Sequence, residues 1–188
     1  MVPMQGEERG NFFTELLKLA LLVAVIVVPI RLWVAQPFLV AGASMEPTFD
    51  SGEYLIVDEL SYHLRAPERY EVVIFRYPKD PSKFYIKRIV GLPNETLNIN
   101  GSSIAVVKSD GSSEALEEPY LTFTGNGPAQ TVTLEENEYF VMGDNRPDSS
   151  DSRYWGALPR SDIIGRAFIR LLPLQTFAVL PGFYAPGQ

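Results

Sequence analysis

Thr96-Leu97-Asn98-Ile99-Asn100-Gly101-Ser102-Ser103-Ile104-Ala105-Val106-Val107 is the stretch that decides the fold class. Thr96–Ile99 alternates polar and apolar side chains, as a strand with one buried face does, and Ile104–Val107 is rich in β-branched residues. Between them, Asn100-Gly101 tolerates the positive φ that primed hairpin turns demand. The pattern predicts a β-hairpin.

Outward from this hairpin the same grammar recurs. Short runs rich in Val, Ile, Tyr and Phe at Tyr54–Val57, Glu71–Arg76, Phe84–Val90, Gln130–Leu134, Tyr139–Met142 and Ala167–Leu171 are separated by Gly, Pro, Asn and Asp. Ser109–Glu118 reads as a polar surface loop and residues 181–188 as a C-terminal tail, while Leu171–Leu180 leaves open a lipid contact or closure of the barrel, core packing being the simpler reading. No internal repeat is present. The expected class is mainly β, a barrel or sandwich over residues 36–180.

Ahead of this domain, residues 1–11 are polar and Gly-containing, and an almost wholly apolar stretch then begins at Phe12, with Glu15 and Lys18 confined to its first turns. Its uninterrupted part, Leu19–Ile30, is short for a bilayer core of roughly 30 Å, but the flanking Leu16-Leu17 and Leu32-Trp33-Val34-Ala35 extend it toward about 20 residues. Lys18 and Arg31 suit opposite membrane interfaces. The expectation is a transmembrane anchor over residues 12–35. A cleavable secretory signal is the competing reading, since Ala41-Gly42-Ala43 offers a small-residue cleavage site, although Glu7, Glu8 and Glu15 do not suit such a signal's basic start. A buried core helix is a third, and it lacks the polar face such a helix carries. The basic residues are too few to set an orientation.

The 188 residues leave room for that anchor and one domain of roughly 150 residues. Sixteen basic residues against 23 acidic ones, a formal charge of −7, give no electrostatic footprint for a nucleic-acid partner. The absence of cysteine excludes disulfides and thiolate zinc sites. A single histidine, His63, cannot furnish a typical zinc-hydrolase ligand set. It is also the sole imidazole for a Ser-His-Asp triad, and it stands in a basic, turn-like connector, Ser61–Pro67, where a surface or structural role is the simpler reading.

Three segments carry chemistry. In Gly42-Ala43-Ser44-Met45-Glu46-Pro47-Thr48 small residues precede a serine, so a peptide backbone can approach its hydroxyl while the Ser44 N–H is available to a developing oxyanion. The same residues also make an ordinary turn. In Phe84-Tyr85-Ile86-Lys87-Arg88-Ile89-Val90-Gly91 strand alternation puts Lys87 on one face with Tyr85 and Ile89. Burial there disfavours the ammonium, and lowering its pKa from about 10.4 to near 7 costs roughly 4 to 5 kcal/mol, an outlay that makes sense if a neutral amine must take a proton from serine. A lysine snorkelling from an edge strand is the alternative.

The third segment, Gly143-Asp144-Asn145-Arg146-Pro147-Asp148-Ser149-Ser150-Asp151-Ser152-Arg153-Tyr154-Trp155-Gly156, is a dense polar loop. It departs from an EF-hand: Ser149 replaces the glycine at the sixth position and Trp155 the bidentate glutamate, leaving only an irregular calcium loop. The other reading is an internal network in which Asp144 and Asp151 pair with Arg146 or Arg153 and a serine hydroxyl turns inward to orient a neighbour.

Taken together and in this order, Ser-Met-x-Pro-Thr, Tyr-Ile-Lys-Arg-Ile-Val-Gly and Gly-Asp-Asn-Arg with Ser-x-Asp-Ser-Arg-Tyr-Trp-Gly closely resemble the type I signal peptidase (leader peptidase) family, in its compact single-transmembrane form. The resemblance runs from about Phe12 to Pro173 and includes the connecting stretch Ala66–Phe75. It implies that Ser44 is the nucleophile, Lys87 the general base and Ser149 a hydroxyl holding the lysine amine in line, with Asp151 in support through Arg146 or Arg153. Met45, Tyr85 and Ile86 would bind an extended substrate, added as a strand beside the site and cut after Ala-x-Ala-like sequences. The oxyanion would be held by Ser44 and a second donor at position 42, where some members have a side-chain hydroxyl and this chain has Gly42. The resemblance further implies signal-peptide-bearing precursors as substrates, a lipid bilayer and the protein export machinery as company, and no cofactor. The place implied is a bacterial cell (inner) membrane crossed once, with the peptidase domain extracytoplasmic, or a thylakoid membrane. About fifteen residues between Pro29 and Ser44 span at most roughly 50 Å, which holds the site near the membrane.

Two rivals remain. A self-cleaving Ser/Lys protease of the repressor type would need a DNA-binding domain where this chain has an apolar helix. A non-catalytic, membrane-anchored β scaffold using the acidic loop for calcium would tolerate loss of Ser44 and Lys87.

Overall fold

In the computed structural model, which describes residues 12–33, 35–108, 110–125 and 127–185 and gives the backbone alone for 26–33 and 35, the expected hairpin forms with its turn one residue later. Its strands, β5 (Thr96–Asn100) and β6 (Ser103–Val107), pair Asn100 with Ser103, so Gly101-Ser102 is the two-residue loop. Gly101 has φ +62° whereas Ser102 does not enter the positive region, the pattern of a II′ turn with glycine first.

Ten further strands complete two antiparallel sheets. They are β1 (Ala35–Leu39), β2 (Tyr54–Asp58), β3 (Val72–Tyr77), β4 (Asp80–Gly91), β7 (Ser113–Ala115), β8 (Gln130–Thr133), β9 (Glu138–Met142), β10 (Leu158–Pro159), β11 (Ile163–Leu172) and β12 (Ala178–Val179). The larger sheet runs β1-β2-β11-β3-β4-β9-β10, with β12 beside β11, and the smaller runs β7-β6-β5-β8. Val90, Phe140 and Met142 of the large sheet pack against Leu97, Ile99 and Ile104 of the small one, and this shared apolar layer joins the two. A second layer, including Val40, Met45, Phe49, Leu55 and Val57, lies beneath β1 and β2.

Every strand run expected from the sequence is present. Those that went unread are short or chemically disguised: β1 contains Pro37, which reads as a strand breaker but is tolerated because β1 is an edge. β7 lies inside the stretch expected to be loop, all three residues exposed, and is held by its backbone pairing with β6. The strand that matters most, β4, is interior, flanked by β3 and β9, so Lys87 does not reach solvent from an edge.

The apolar N-terminal stretch forms α1 (Phe12–Trp33), a 22-residue helix with exposed leucines and Glu15 beside Lys18 at 2.9 Å. Among the described residues no helix is long and apolar enough to cross a membrane. Residues 1–11 lie outside the described residues. At the other end Leu171–Leu180, expected to be core, is mostly exposed, with Leu172, Leu174, Phe177 and Val179 on the surface because the short β12 pairs only with the end of β11, whereas residues 181–185 pack onto the domain, with Pro181 buried.

Candidate active site

Lys87 is held in the middle of β4, opposite Val73 of β3, and only 4% of it is exposed. Alternation along the strand puts it on the face of Tyr85, whose ring centroid lies 5.6 Å from its Nζ. Ser44 arrives from the turn that follows β1, a turn closed by hydrogen bonds from Glu46 N–H to Ala43 carbonyl at 3.1 Å and from Phe49 N–H to Met45 carbonyl at 2.9 Å. The two side chains, 43 positions apart in sequence, meet at 2.6 Å between Lys87 Nζ and Ser44 Oγ. Nζ also donates to the Ile86 carbonyl at 2.9 Å. Burial pushes the Lys87 ammonium down to about 8, against an upward pull from the Asp151 and Asp144 carboxylates. An amine that loses its proton near neutrality, within hydrogen-bond reach of a hydroxyl, is suited to take that hydroxyl's proton.

The polar loop after β9 fixes this pair from one side. Asp151 accepts from Arg153 Nε and Nη2, both at 2.8 Å, and from the Gly143 N–H at 3.1 Å, while Arg153 Nη2 also donates to the Arg146 carbonyl at 2.8 Å. All three of these charged side chains are buried. Of the two expected partners Asp151 takes Arg153; Arg146 instead pairs with Glu118 and donates to the Ser102 and Gly143 carbonyls. Gly143 is needed for close approach: a Cβ there would collide with Ser149 and with the Ser44 carbonyl. Asp144 does not pair with Arg146 or Arg153 but with Arg88, through Nε at 2.9 Å and Nη2 at 2.6 Å. It also accepts from the Thr48 hydroxyl at 2.6 Å. Asn145 donates to the Ser44 carbonyl from its N–H and to the Ala43 carbonyl from Nδ2, each at 3.1 Å.

These contacts engage the loop carboxylates Asp144 and Asp151 with guanidinium groups, and among the described residues no three potential ligands converge as a metal site would require. Ser149 stands close to Gly143, but its hydroxyl is buried with no hydrogen-bond partner among the described residues, so it is not joined to Lys87. His63 is exposed on a short helix, α2 (Ser61–Leu64), its Nδ1 3.1 Å from the Glu59 carbonyl, and has no part in the site.

A cavity of about 580 Å³ opens on the pair, walled by Phe38 and Val40 on one side and Tyr85 and Ile86 on the other. Met45, expected to line it, does not: at 1% exposure it is part of the core layer below, because the turn that presents Ser44 sends the next side chain inward. At Gly42 the backbone has φ +92°, a conformation in which a serine would be strained, and its N–H lies 3.3 Å from Ser51 Oγ. The Ser44 N–H makes no hydrogen bond among the described residues.

Sequence reasoning missed Arg88, Thr48, Asn145 and Glu118. Arg88 carried a signal: beside a lysine in a strand of strict alternation it must face the opposite side, and a buried arginine needs a carboxylate.

A family model described as "Signal peptidase, peptidase S26" matches residues 13–172. Among similar proteins, "Probable signal peptidase I-2" of Synechocystis sp. is 35% identical over 90% of this chain and 78% of its own length. "Probable signal peptidase I-1" of the same organism is 32% identical over 95% and 92%. "Signal peptidase I" of Bacillus caldolyticus is 33% identical over 81% and 88%. A crystal structure of a signal peptidase I from Enterococcus faecalis aligns with 54% of this chain and 97% of its own, at 29% identity and a TM-score of 0.45.

Proposed function

The chain belongs to the signal peptidase family, peptidase S26, as a serine peptidase that removes signal peptides, and from that premise we propose that Ser44 is its nucleophile and Lys87 its general base. The observation that carries the assignment is the 2.6 Å contact between Ser44 Oγ and a buried Lys87 amine whose pKa is pushed to about 8.

Neutral Lys87 takes the Ser44 proton as Oγ bonds to the scissile carbonyl carbon. The carbonyl π electrons move to oxygen, and the free Ser44 N–H donates to that oxyanion. Collapse breaks the C–N bond, and the Lys87 ammonium returns its proton to the leaving amine. Water then attacks the Ser44 ester while giving a proton to neutral Lys87, and collapse breaks the C–Oγ bond as the Lys87 ammonium returns that proton to Ser44 Oγ, freeing the acid product and restoring both residues. With no side chain at Gly42, the second oxyanion donor is a backbone amide or water.

The substrate strand lies in the cavity between β1 and β4, where Tyr85 and Ile86 contact it, and is cut after small residues, as in Ala-x-Ala, as the resemblance to the family implies. Ser149 turns its unpartnered hydroxyl to the lysine amine when substrate is bound, and Asp151 with Arg153 supports the loop that carries it. Residues 12–35 anchor the chain in the bilayer, the apolar run extending past the side chains described for α1. The domain then works on the extracytoplasmic side of a bacterial or thylakoid membrane, beside the export machinery, on signal-peptide-bearing precursors.

The test is cleavage of a precursor bearing an Ala-x-Ala site by wild type, Ser44→Ala and Lys87→Met proteins in detergent without added metal. Cutting after the small residue by wild type and inert folded variants support the dyad; full activity in either variant sinks it.

A further inference from the structure

The C-terminal turn lies behind the catalytic pair, and we infer that Gly182 and Tyr184 are positioning residues for peptide cleavage, acting through Arg88. The inference rests on the reading of Ser44 and Lys87 as nucleophile and base.

Adjacent residues of a strand face opposite sides of the sheet. Lys87 faces Ser44, so Arg88 faces away, and it is 0% exposed. A guanidinium so fully buried is stable only if its charge and its N–H groups are answered. Asp144 answers Nε and Nη2, and Nη1 donates to the Tyr70 carbonyl at 2.9 Å and to the Gly182 carbonyl. The Tyr120 ring covers the guanidinium face, with its centroid 3.9 Å from Cζ. Tyr184 closes this aromatic enclosure edge-on, 5.1 Å from the Tyr70 ring and 6.0 Å from the Tyr120 ring, and its hydroxyl donates to Glu117 at 3.2 Å.

Gly182 is seated equally closely. Its φ is +74°, and a Cβ would meet Thr48 Cγ2 at 2.7 Å and Phe49 Cε2 at 3.1 Å. The turn therefore bears on the segment that follows the nucleophile as well as on Arg88.

From Arg88 the restraint runs both ways. Along the backbone it fixes Lys87, the preceding residue of β4. Through Asp144 it fixes Thr48, and through the next residue, Asn145, the carbonyls of Ser44 and Ala43. Both members of the 2.6 Å pair thus depend on one guanidinium, and that guanidinium on the C-terminal turn. Asp144 also raises the Lys87 pKa against burial, so a loosened Arg88 leaves more of the Asp144 charge acting on Lys87.

The experiment compares full-length Tyr184→Ala, Tyr184→Phe and Gly182→Val in detergent, with Ser44→Ala as the inert control and an Ala-x-Ala precursor as substrate. Tyr184→Ala and Gly182→Val should lower kcat roughly 10- to 100-fold, the scale of small misplacements in a site. KM should stay within about twofold, since ground-state binding is untouched. The acid limb of the pH profile should move above its wild-type position, and Tyr184→Phe, which keeps the ring, should match wild type. A folded Tyr184→Ala protein with wild-type kcat and pH limb, or with only KM raised, overturns the inference, whatever Gly182→Val does. An unfolded Tyr184→Ala protein overturns it too, assigning the turn to stability alone. Failure of the dyad itself is read separately, as activity retained by Ser44→Ala.

Discussion

Replacing Lys87 by methionine should make the protein more stable and catalytically inert at once, and the stability gain should depend on pH. Lys87 ionises near 8 in the fold and near 10.5 when unfolded. Because the native value is the lower one, the folded state carries the cost of a buried ammonium below about pH 8, sheds it progressively between about 8 and 10.5, and is free of it above. That separation corresponds to about 3 kcal/mol. Methionine has comparable length, fills the same space and carries no charge. Lost contact with Ser44 offsets roughly 1 kcal/mol of the gain, leaving Lys87→Met about 2 kcal/mol more stable than wild type at pH 7. At pH 10.5 the order should reverse or vanish. Urea unfolding of both full-length proteins in detergent, followed by tryptophan fluorescence at pH 7 and 10.5, measures the difference; other titrating groups are common to both and cancel. A stability difference that is the same at the two pH values would refute the reasoning, since it would mean Lys87 ionises alike in folded and unfolded chains.

Other perturbations test other parts of the site. Arg153→Met strands Asp151, whose carboxylate is fully buried, and should destabilise the fold by about 3 to 5 kcal/mol in thermal or denaturant unfolding; a loss below about 1 kcal/mol would mean the loop does not depend on this pair. Ser149→Ala removes a buried hydroxyl that has no partner, so stability should hold or rise by about 1 kcal/mol while kcat falls, separating the residue's catalytic part from its structural one. Equal losses in both, from unfolding curves and cleavage rates, would contradict that separation.

The strands were legible wherever burial imposed a pattern. Tyr139–Met142 is apolar throughout because it lies inside the large sheet, and Phe84–Val90 reads as a strand by its aromatic and β-branched residues even though it carries Lys87 and Arg88 into the interior. β1 escaped because Pro37 signals a break and the chain does not announce that this strand will be an edge. The hairpin turn slipped by one residue because Asn100-Gly101 and Gly101-Ser102 each place glycine where positive φ is needed, and only cross-strand packing chooses. Ser44 and Lys87 were visible as residue types, but their meeting follows from the joint position of the turn after β1 and the centre of β4. Partner choice in the polar loop was less legible still. Asp144, Asp151, Arg146 and Arg153 offered several pairings at similar sequence distance, and the actual ones include Arg88 and Glu118 from elsewhere. Met45 misled for a related reason: an apolar residue beside a nucleophile suggests a pocket wall, whereas the turn directs it into the core.

The most direct test of the account is the pH profile of kcat/KM for precursor cleavage by wild type and by His63→Ala. With Lys87 proposed as the base and His63 exposed outside the site, one acid limb at about 8, identical in the two proteins, is expected. A limb near the ordinary histidine value of about 6.5 that disappears in His63→Ala, or a rate unchanged across pH 8, would contradict it.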